Sequence, residues 1–205
     1  MAEEESPSTV MMTTAMLKAL ANPLRRRILA SFNRNPHSRA ADIAAALGEP
    51  ANKISFHLRV LADAGLIVES PEHARDGRDR VWTAVEVESL GVAGTGVPAA
   101  DPVLADAVIR GLVEDHQALL QRVLADMPEY LRGEQTTGRG TFSTSHAVLT
   151  PAEFEALLHT IHRAIREAHD AHVKGAEGTR VYDIDILAAS DDADPGVGRD
   201  PRLDR

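Results

Sequence analysis

The chain of 205 residues contains no cysteine, which excludes disulfides, thiolate metal sites and thiol-based sensing. It also lacks an apolar run near the roughly 20 residues that a membrane-spanning helix needs. The first residues, MAEEE, are acidic and lead into no apolar segment of the kind found in secretory signals. We therefore expect a cytoplasmic protein with no membrane partner.

Common catalytic motifs are absent as well. The sequence has no GxSxG elbow, no glycine-rich phosphate loop and no His-Glu-x-x-His pair. Asp183 and Asp185 stand one residue apart in an alternating segment, and the alternation of a strand explains them without catalysis. We expect no enzymatic activity and no catalytic residues.

Residues 38–66 are predicted to form two short helices joined by a tight turn. Ser38 is the expected N-cap, because its side chain can accept a free backbone N–H. Gly48 and Gly65 supply left-handed stops, and Pro50 favours a restart. Helical spacing predicts burial of Ala40, Ile43, Ala44 and Leu47 in the first helix and of Ile54, Leu58, Leu61 and Ala62 in the second.

The second helix, from Ala51, is predicted to expose one narrow polar face. At about 100° per residue, the side opposite the apolar stripe gathers Asn52, Ser55, Phe56, Arg59 and Asp63. Such a face is typical of a helix that lies in the DNA major groove.

Two short strands are predicted over residues 66–69 and 80–85. Asp76-Gly77 between them is a strong hairpin-turn pair. Arg75, Arg78 and Arg80 lie near the tip of this hairpin. A basic hairpin after a recognition helix is typical of a wing that contacts phosphates or the minor groove.

Upstream, Asn22-Pro23 ends one helix and starts the next within the run LKALANPLRRRIL. This run, the later SFHLRVLADAGLIVE and the basic hairpin resemble the ArsR-type winged-helix repressors of bacteria. The resemblance covers residues 12–88 and implies DNA binding through the second helix and the wing. It implies that Asn52 and Ser55 contact base edges, Arg59 a base or phosphate, and Lys53 a phosphate.

Two positions of the second helix need separate interpretation. Phe56 stands where such repressors often carry a polar or basic residue. It either contacts a thymine methyl or covers the helix flank. His57 matches a histidine customary in the family, and its position toward the buried side indicates a structural role.

Charge supports the same location for DNA binding. Residues 11–90 hold 11 Lys and Arg against nine Asp and Glu, whereas residues 91–205 hold 11 against 19. An acidic protein with clustered basic side chains fits a sequence-specific binder of modest non-specific affinity. The run Arg25-Arg26-Arg27 either adds to this basic surface or is the solvated face of a helix.

We expect a disordered acidic tail over residues 1–10, a winged-helix domain over 11–90 and a linker over 91–100. Asp101-Pro102 then caps and starts a long helix to about Met127, with Pro128 in the following loop. A helix of this length beside a small winged domain favours dimerisation. Folding back onto its own domain is the alternative.

Residues 101–189 are the predicted dimerisation and sensing region. It ends in a small strand–helix–strand unit, with strands over 144–149 and 180–188 and a capping box at Thr150-Pro151-Ala152-Glu153. Residues 190–205 are expected to be a disordered tail. The helix of the unit is expected to bury Phe154, Leu157, Leu158, Ile161, Ile165 and Ala168.

Histidines are concentrated in this region. His159 and His162, like His169 and His172, stand three residues apart, so either pair could share a metal ion. No third ligand stands at a telling spacing, so we favour surface histidines and predict no metal site or cofactor. His116 lies within the apolar face of the long helix and is expected to be a packed core or interface residue. A metal or small-molecule effector stays open.

The sequence thus predicts a mainly α fold with small β elements: an N-terminal winged helix-turn-helix, a long dimerisation helix and a small C-terminal strand–helix–strand unit. The predicted function is a homodimeric transcriptional regulator, a repressor by resemblance, that binds double-stranded operator DNA. A MarR-like regulator would need N-terminal dimer helices that the short first segment does not supply. The alternative of another class is a winged-helix module that recruits a protein partner through its C-terminal region.

Overall fold

The computed structural model describes residues 10–74, 80–87, 89–94, 96–134, 139–173 and 176–190. The chain divides into two compact units, residues 1–117 and 118–205. Residues 1–9 and 191–205 of the predicted tails and the turn Asp76-Gly77 lie outside the described residues. The elements are β1 (Val10–Met11), α1 (Thr14–Leu20), α2 (Pro23–Ser31), β2 (Ser38–Arg39), α3 (Ala40–Leu47), α4 (Ala51–Asp63), β3 (Ile67–Glu69), a 3-10 turn (Pro71–His73), β4 (Val81–Ala84), β5 (Leu90–Gly91), α5 (Pro102–Leu131) and α6 (Pro151–Asp170).

The helix pair predicted from residues 38–66 is present as α3 and α4. Gly48 (φ 67°) and Gly65 (φ 73°) end these helices in the left-handed conformation, as predicted. The predicted cap at Ser38 is wrong, because Ser38 belongs to β2 and its Oγ donates to a carbonyl of the preceding loop (2.8 Å). Instead, α3 begins at Ala40, where Asp42 accepts the backbone N–H of Arg39 (3.1 Å).

One hydrophobic core joins α1 to α4 with the first turns of α5. Each fully buried leucine, isoleucine or valine side chain contributes about 1.5–3 kcal/mol to the stability of the fold. Of the predicted core positions on α3 and α4, Ala40, Leu47 and Ala62 are only half-buried. The innermost side chains are Leu17, Ile28, Ile54, Leu58, Leu61, Ile67 and Val108.

A three-stranded antiparallel sheet is formed by β2, which precedes the helix pair, and by β3 and β4, which follow it. Its strand order is β2–β4–β3, with Ser38 opposite Trp82 and Val68 opposite Thr83. The strands predicted over 66–69 and 80–85 are therefore confirmed, each slightly shorter than expected. A second pair, β1 and β5, is parallel. Because β5 pairs with β1, and Val92 and Ala99 pack against the core, the segment expected to be a linker contributes to the first unit.

The long helix α5 begins as predicted. Asp101 Oδ1 accepts the backbone N–H groups of Val103 and Leu104 (3.0 Å each) and so caps the helix. The predicted end before Pro128 is wrong, since α5 continues to Leu131. Pro128 lies in the last turns of α5, where the loss of one backbone donor still leaves the helix continuous. The buried residues of α5 are Ala105, Val108 and Gly111.

The second unit contains the predicted helix but not the predicted strands. The capping box is confirmed: Thr150 N donates to Glu153 Oε2 (2.7 Å) and Glu153 N to Thr150 Oγ1 (3.3 Å). Residues 144–149 and 180–188 form no strand, because neither segment pairs with another and both are exposed. The expected burial along α6 is wrong too, since no residue of α6 is buried within the chain. Among the described residues, no helix is both long and apolar enough to cross a membrane.

Candidate nucleic-acid interface

The helix α4 presents the predicted reading face. Ile54, Leu58 and Leu61 are fully buried and hold α4 on the core. α3 packs against α4 across the turn at Gly48. On the outward side, Ser55 is half-buried, and the exposed residues are Asn52, Lys53, Phe56 and Arg59.

Two of the expected base-contacting side chains make local hydrogen bonds. Asn52 Oδ1 accepts the backbone N–H of Lys53 (2.8 Å), and Ser55 Oγ donates to the carbonyl of Ala51 (2.8 Å). The amide nitrogen of Asn52 therefore remains as a donor, and the Ser55 oxygen remains as an acceptor. Bidentate pairing of Asn52 with adenine would require its oxygen to leave the backbone.

Lys53 is held by an acidic neighbour at the start of α4. Its ammonium donates to Glu49 Oε2 (2.9 Å). This hydrogen bond, with the positive charges of Lys53 and Arg27, lowers the pKa of Glu49. The pair is solvent-accessible, so a phosphate can compete with Glu49 for the ammonium.

Arg59 and Phe56 are the largest side chains on the outward face. Within the described part of the chain, Arg59 makes no hydrogen bond or ion pair, so its guanidinium is available to a base or phosphate. Phe56 is 57% exposed and meets the His57 ring edge-on, with centroids 5.4 Å apart. Its ring covers the flank of α4 and still offers apolar surface that a thymine methyl could contact.

His57 lies on the buried side of α4, only 9% exposed. Its Nδ1 is buried and has no hydrogen-bond partner among the described residues. Burial lowers the pKa of His57, as do the positive charges of Arg25 and Lys53, against an opposing effect of Glu49. A neutral imidazole packed in this position has a structural role.

The three consecutive arginines of α2 join neighbouring helices. Arg25 donates to two carbonyls in the last turn of α1, and Arg27 donates to the carbonyl of Leu47 at the end of α3 (3.4 Å). Arg26 is buried and bonds to α1 and α5. The interpretation as a solvated face is therefore wrong for Arg26. Its acceptors on α5, Gly111 and Asp115, are more than 80 residues away in the sequence. No local spacing could therefore have predicted these hydrogen bonds.

The arms of the predicted wing are β3 and β4. Arg80 immediately precedes β4 and is exposed, with its Nε 3.5 Å from Glu69 Oε1. Arg75 and Arg78 lie outside the described residues. After β3, His73 stacks on His37 from the loop before β2, with ring centroids 3.5 Å apart.

The C-terminal histidines do not assemble into a metal site in the described ranges. His159, His169 and His172 are exposed, and His162 is half-buried. No group of three or more His, Cys, Asp or Glu among the described residues could hold a metal ion. His116 on α5 is half-buried.

Residues 20–70 match a protein family described as a helix-turn-helix domain. The match spans α2, α3, α4 and β3, and β4 completes the sheet beside them. Family match and topology together define this part of the chain as a winged helix-turn-helix domain, as the sequence predicted. Helix-turn-helix domains of this kind place their second helix in the DNA major groove.

Solved structures of transcriptional regulators are similar to about half of the chain. The AntR antimony-specific transcriptional repressor is 26% identical, over 52% of this chain and 86% of its own, with a TM-score of 0.32. A possible transcriptional regulator for arsenical resistance is 24% identical, over 59% and 96%, with a TM-score of 0.29. The homodimeric winged helix-turn-helix domain of a possible ArsR-family regulator from Mycobacterium bovis is 21% identical, over 60% and 82%, with a TM-score of 0.28.

Among curated proteins, none matches the chain.

Proposed function

We propose that the chain is an ArsR-type transcriptional regulator that binds double-stranded operator DNA. The observation that carries this proposal is the outward face of α4. There Arg59, which has no partner in the part of the chain that the structure describes, the Asn52 amide and an exposed Phe56 stand opposite a stripe with no solvent exposure. A helix fixed on one side and open on the other suits insertion into the major groove.

The proposed contacts divide into base readout and phosphate binding. Asn52 and Ser55 contact base edges, and Arg59 donates to guanine or to a phosphate. Lys53 exchanges Glu49 for a phosphate, which is favourable because the counterion cloud of DNA is released. The wing adds phosphate or minor-groove contacts through Arg75, Arg78 and Arg80.

We further propose that the regulator is a homodimer joined through α5. Ile109, Leu112 and Val113 are each about half exposed, although apolar. A second copy would remove this apolar surface from water. A two-fold dimer would place its two α4 helices on half-sites about one DNA turn apart, roughly 34 Å.

Residues 11–90 are then the DNA-binding region and residues 101–189 the region that dimerises and receives a signal. We propose a cytoplasmic repressor, in which the bound dimer blocks access to the promoter. No catalytic step is involved.

A recruitment module is the second candidate function, and one observation favours it. The apolar face of α6 is not buried by the chain: Phe154, Leu157 and Ile165 are each at least 36% exposed. A protein partner could cover this face. In that case the winged helix would bind protein in place of DNA.

An electrophoretic shift separates the two candidates. Purified protein is titrated onto a duplex from the upstream region of its own gene at moderate salt, with unlabelled competitor DNA. The regulator predicts a shifted band that survives an excess of unrelated duplex. A band lost equally to any duplex, or no band at all, would refute the regulator and leave the recruitment module.

A further inference from the structure

The guanidinium of Arg26 sits where α1, α2 and α5 meet. Its side chain is only 8% exposed. Nε donates to Asp115 Oδ2 (2.6 Å) and Nη2 to Asp115 Oδ1 (3.4 Å), a bidentate pair. Nη1 donates to the carbonyl of Leu20 (3.0 Å), and Nη2 also reaches the carbonyl of Gly111 (3.1 Å). With its donors occupied and its charge buried, Arg26 is not available to DNA.

Because Gly111 has no side chain, the Arg26 guanidinium can lie this close to the backbone of α5. A Cβ at residue 111 would lie 2.3 Å from Arg26 Nη1 and 2.5 Å from its Cζ. Glycine inside a helix is normally unfavourable, because it loses more chain entropy than alanine. Its occurrence in the middle of a 30-residue helix therefore reflects the close approach of the guanidinium.

Arg26, Gly111 and Asp115, which we call the α5 clasp, mark the last buried point of α5. The buried face of α5 runs through Ala105 and Val108 to Gly111, and Asp115 follows one turn later. The first unit ends at Gln117. The clasp therefore attaches α5 to the helix-turn-helix domain close to the end of the first unit.

We propose that the α5 clasp is a positioning device that holds the dimerisation helix at a fixed angle to the DNA-reading helix. This inference rests on the proposed function, because it gives α5 control over the distance between the two α4 helices of a dimer. An open clasp would leave each winged helix folded while the two α4 helices lose their common register on DNA. DNA affinity would then fall without loss of the fold or of the dimer.

The test compares Asp115→Asn with Asp106→Asn. Both replace a charged aspartate of α5 that pairs with an arginine. Asp115 pairs with the buried Arg26 of α2, whereas Asp106 pairs with Arg110 within α5 and that pair is solvent-exposed on both sides (2.7 Å). Hydrogen–deuterium exchange reports whether α5 is released from the helix-turn-helix domain. Sedimentation reports the oligomeric state, and fluorescence anisotropy reports binding to a duplex selected from random DNA by the wild-type protein.

For Asp115→Asn we expect faster exchange over residues 102–117, retained protection in α4, an intact dimer and at least a tenfold loss of affinity for the selected duplex. Asp106→Asn should match the wild type in all three measurements. Unchanged exchange in α5, or unchanged affinity despite faster exchange, would overturn the proposal, as would equal loss of protection in α4. If the wild type selects no DNA, the proposed function fails and the register claim with it. The exchange data then decide separately whether the clasp holds α5.

Gly111→Ala provides an independent check of the geometry. The new methyl group should open the clasp and reproduce the exchange pattern of Asp115→Asn. In an Arg26→Leu background, where no guanidinium is present, the same alanine should add no further exchange. Additive effects of the two substitutions would contradict the proposed contact.

Discussion

At the scale of single residues, Lys53 and Glu49 form an ion pair at the start of α4, the helix that we propose to bind DNA. Because Glu49 accepts from the Lys53 ammonium, it neutralises a charge that DNA would otherwise attract. Lys53→Ala should reduce the slope of log affinity against log salt by about 1. Glu49→Gln should raise affinity at low salt, since it frees the ammonium and removes a negative charge.

A salt titration of both variants checks this pair by fluorescence anisotropy on one duplex. Arg163→Ala on α6 serves as a control, since this exposed side chain lies outside α4 and the wing. Equal slopes for Lys53→Ala and the wild type would remove Lys53 from the phosphate contacts.

His57 makes the stability of the first unit depend on pH. Burial and two neighbouring cations hold its pKa below the ordinary value of 6.5. The unfolded chain therefore binds a proton near pH 6.5, whereas the folded chain binds it only at lower pH. Stability should fall as pH drops through 6.5 toward the lower folded pKa, and it should be fully present above 6.5.

Urea unfolding at pH 7.5, 6.5 and 5.5 measures this contribution. His57→Gln should lose less stability between pH 7.5 and 5.5 than the wild type does, because glutamine does not titrate. His169→Gln changes an exposed histidine and serves as the control. If His57→Gln and the wild type lose stability in parallel, His57 is not the responsible group.

At the scale of elements, α5 is the proposed dimer helix, and Leu112 is its most direct probe. Leu112 is 47% exposed in the single chain, so a glutamate there should leave the monomer folded. In a dimer interface the same glutamate would bury an unpaired charge, which is costly. Leu112→Glu should therefore sediment as a monomer and bind operator DNA more weakly.

Val87→Glu is the matched control, since Val87 is 38% exposed and lies outside α5. It should sediment with the wild type. A dimeric Leu112→Glu protein would exclude this face of α5 as the dimer interface.

Whether an element could be predicted from the sequence depended on how local its signals are. α3, α4 and the capping box of α6 were predictable because their signals are local: Gly48, Gly65 and Thr150 act within a few residues of the helix ends. The strands over 144–149 and 180–188 were not, because alternation describes a face but a strand needs a partner. The end of α5 was misplaced because Pro128 is tolerated in its last turns.

The candidate site likewise contains features that local sequence patterns predict and features that depend on residues distant in sequence. The outward residues of α4 follow from helical period alone, and the structure exposes Asn52, Phe56 and Arg59 as expected. The bonds that occupy Lys53 and Arg26 could not be predicted in this way. Arg26 depends on Gly111 and Asp115, which the fold brings to it from α5.

At the scale of the whole molecule, the net charge and the exposed apolar face of α6 bear on how the protein would bind DNA and a partner. The formal net charge is −9, which disfavours indiscriminate binding to DNA. In the proposed function, DNA binding then depends on the few side chains that α4 and the wing present, so affinity should be sensitive to sequence. The C-terminal unit leaves the apolar face of α6 uncovered, and we propose that a signal or partner acts there.

Selection from random duplex DNA tests the central claim most directly, because it needs no knowledge of the target gene. The selected duplex and a scrambled duplex of equal composition are titrated with wild-type protein and with Arg59→Ala at one salt concentration. The account predicts clear preference of the wild type for the selected duplex and a loss of about 1–3 kcal/mol of that preference in Arg59→Ala. Equal affinity of the wild type for both duplexes would contradict it.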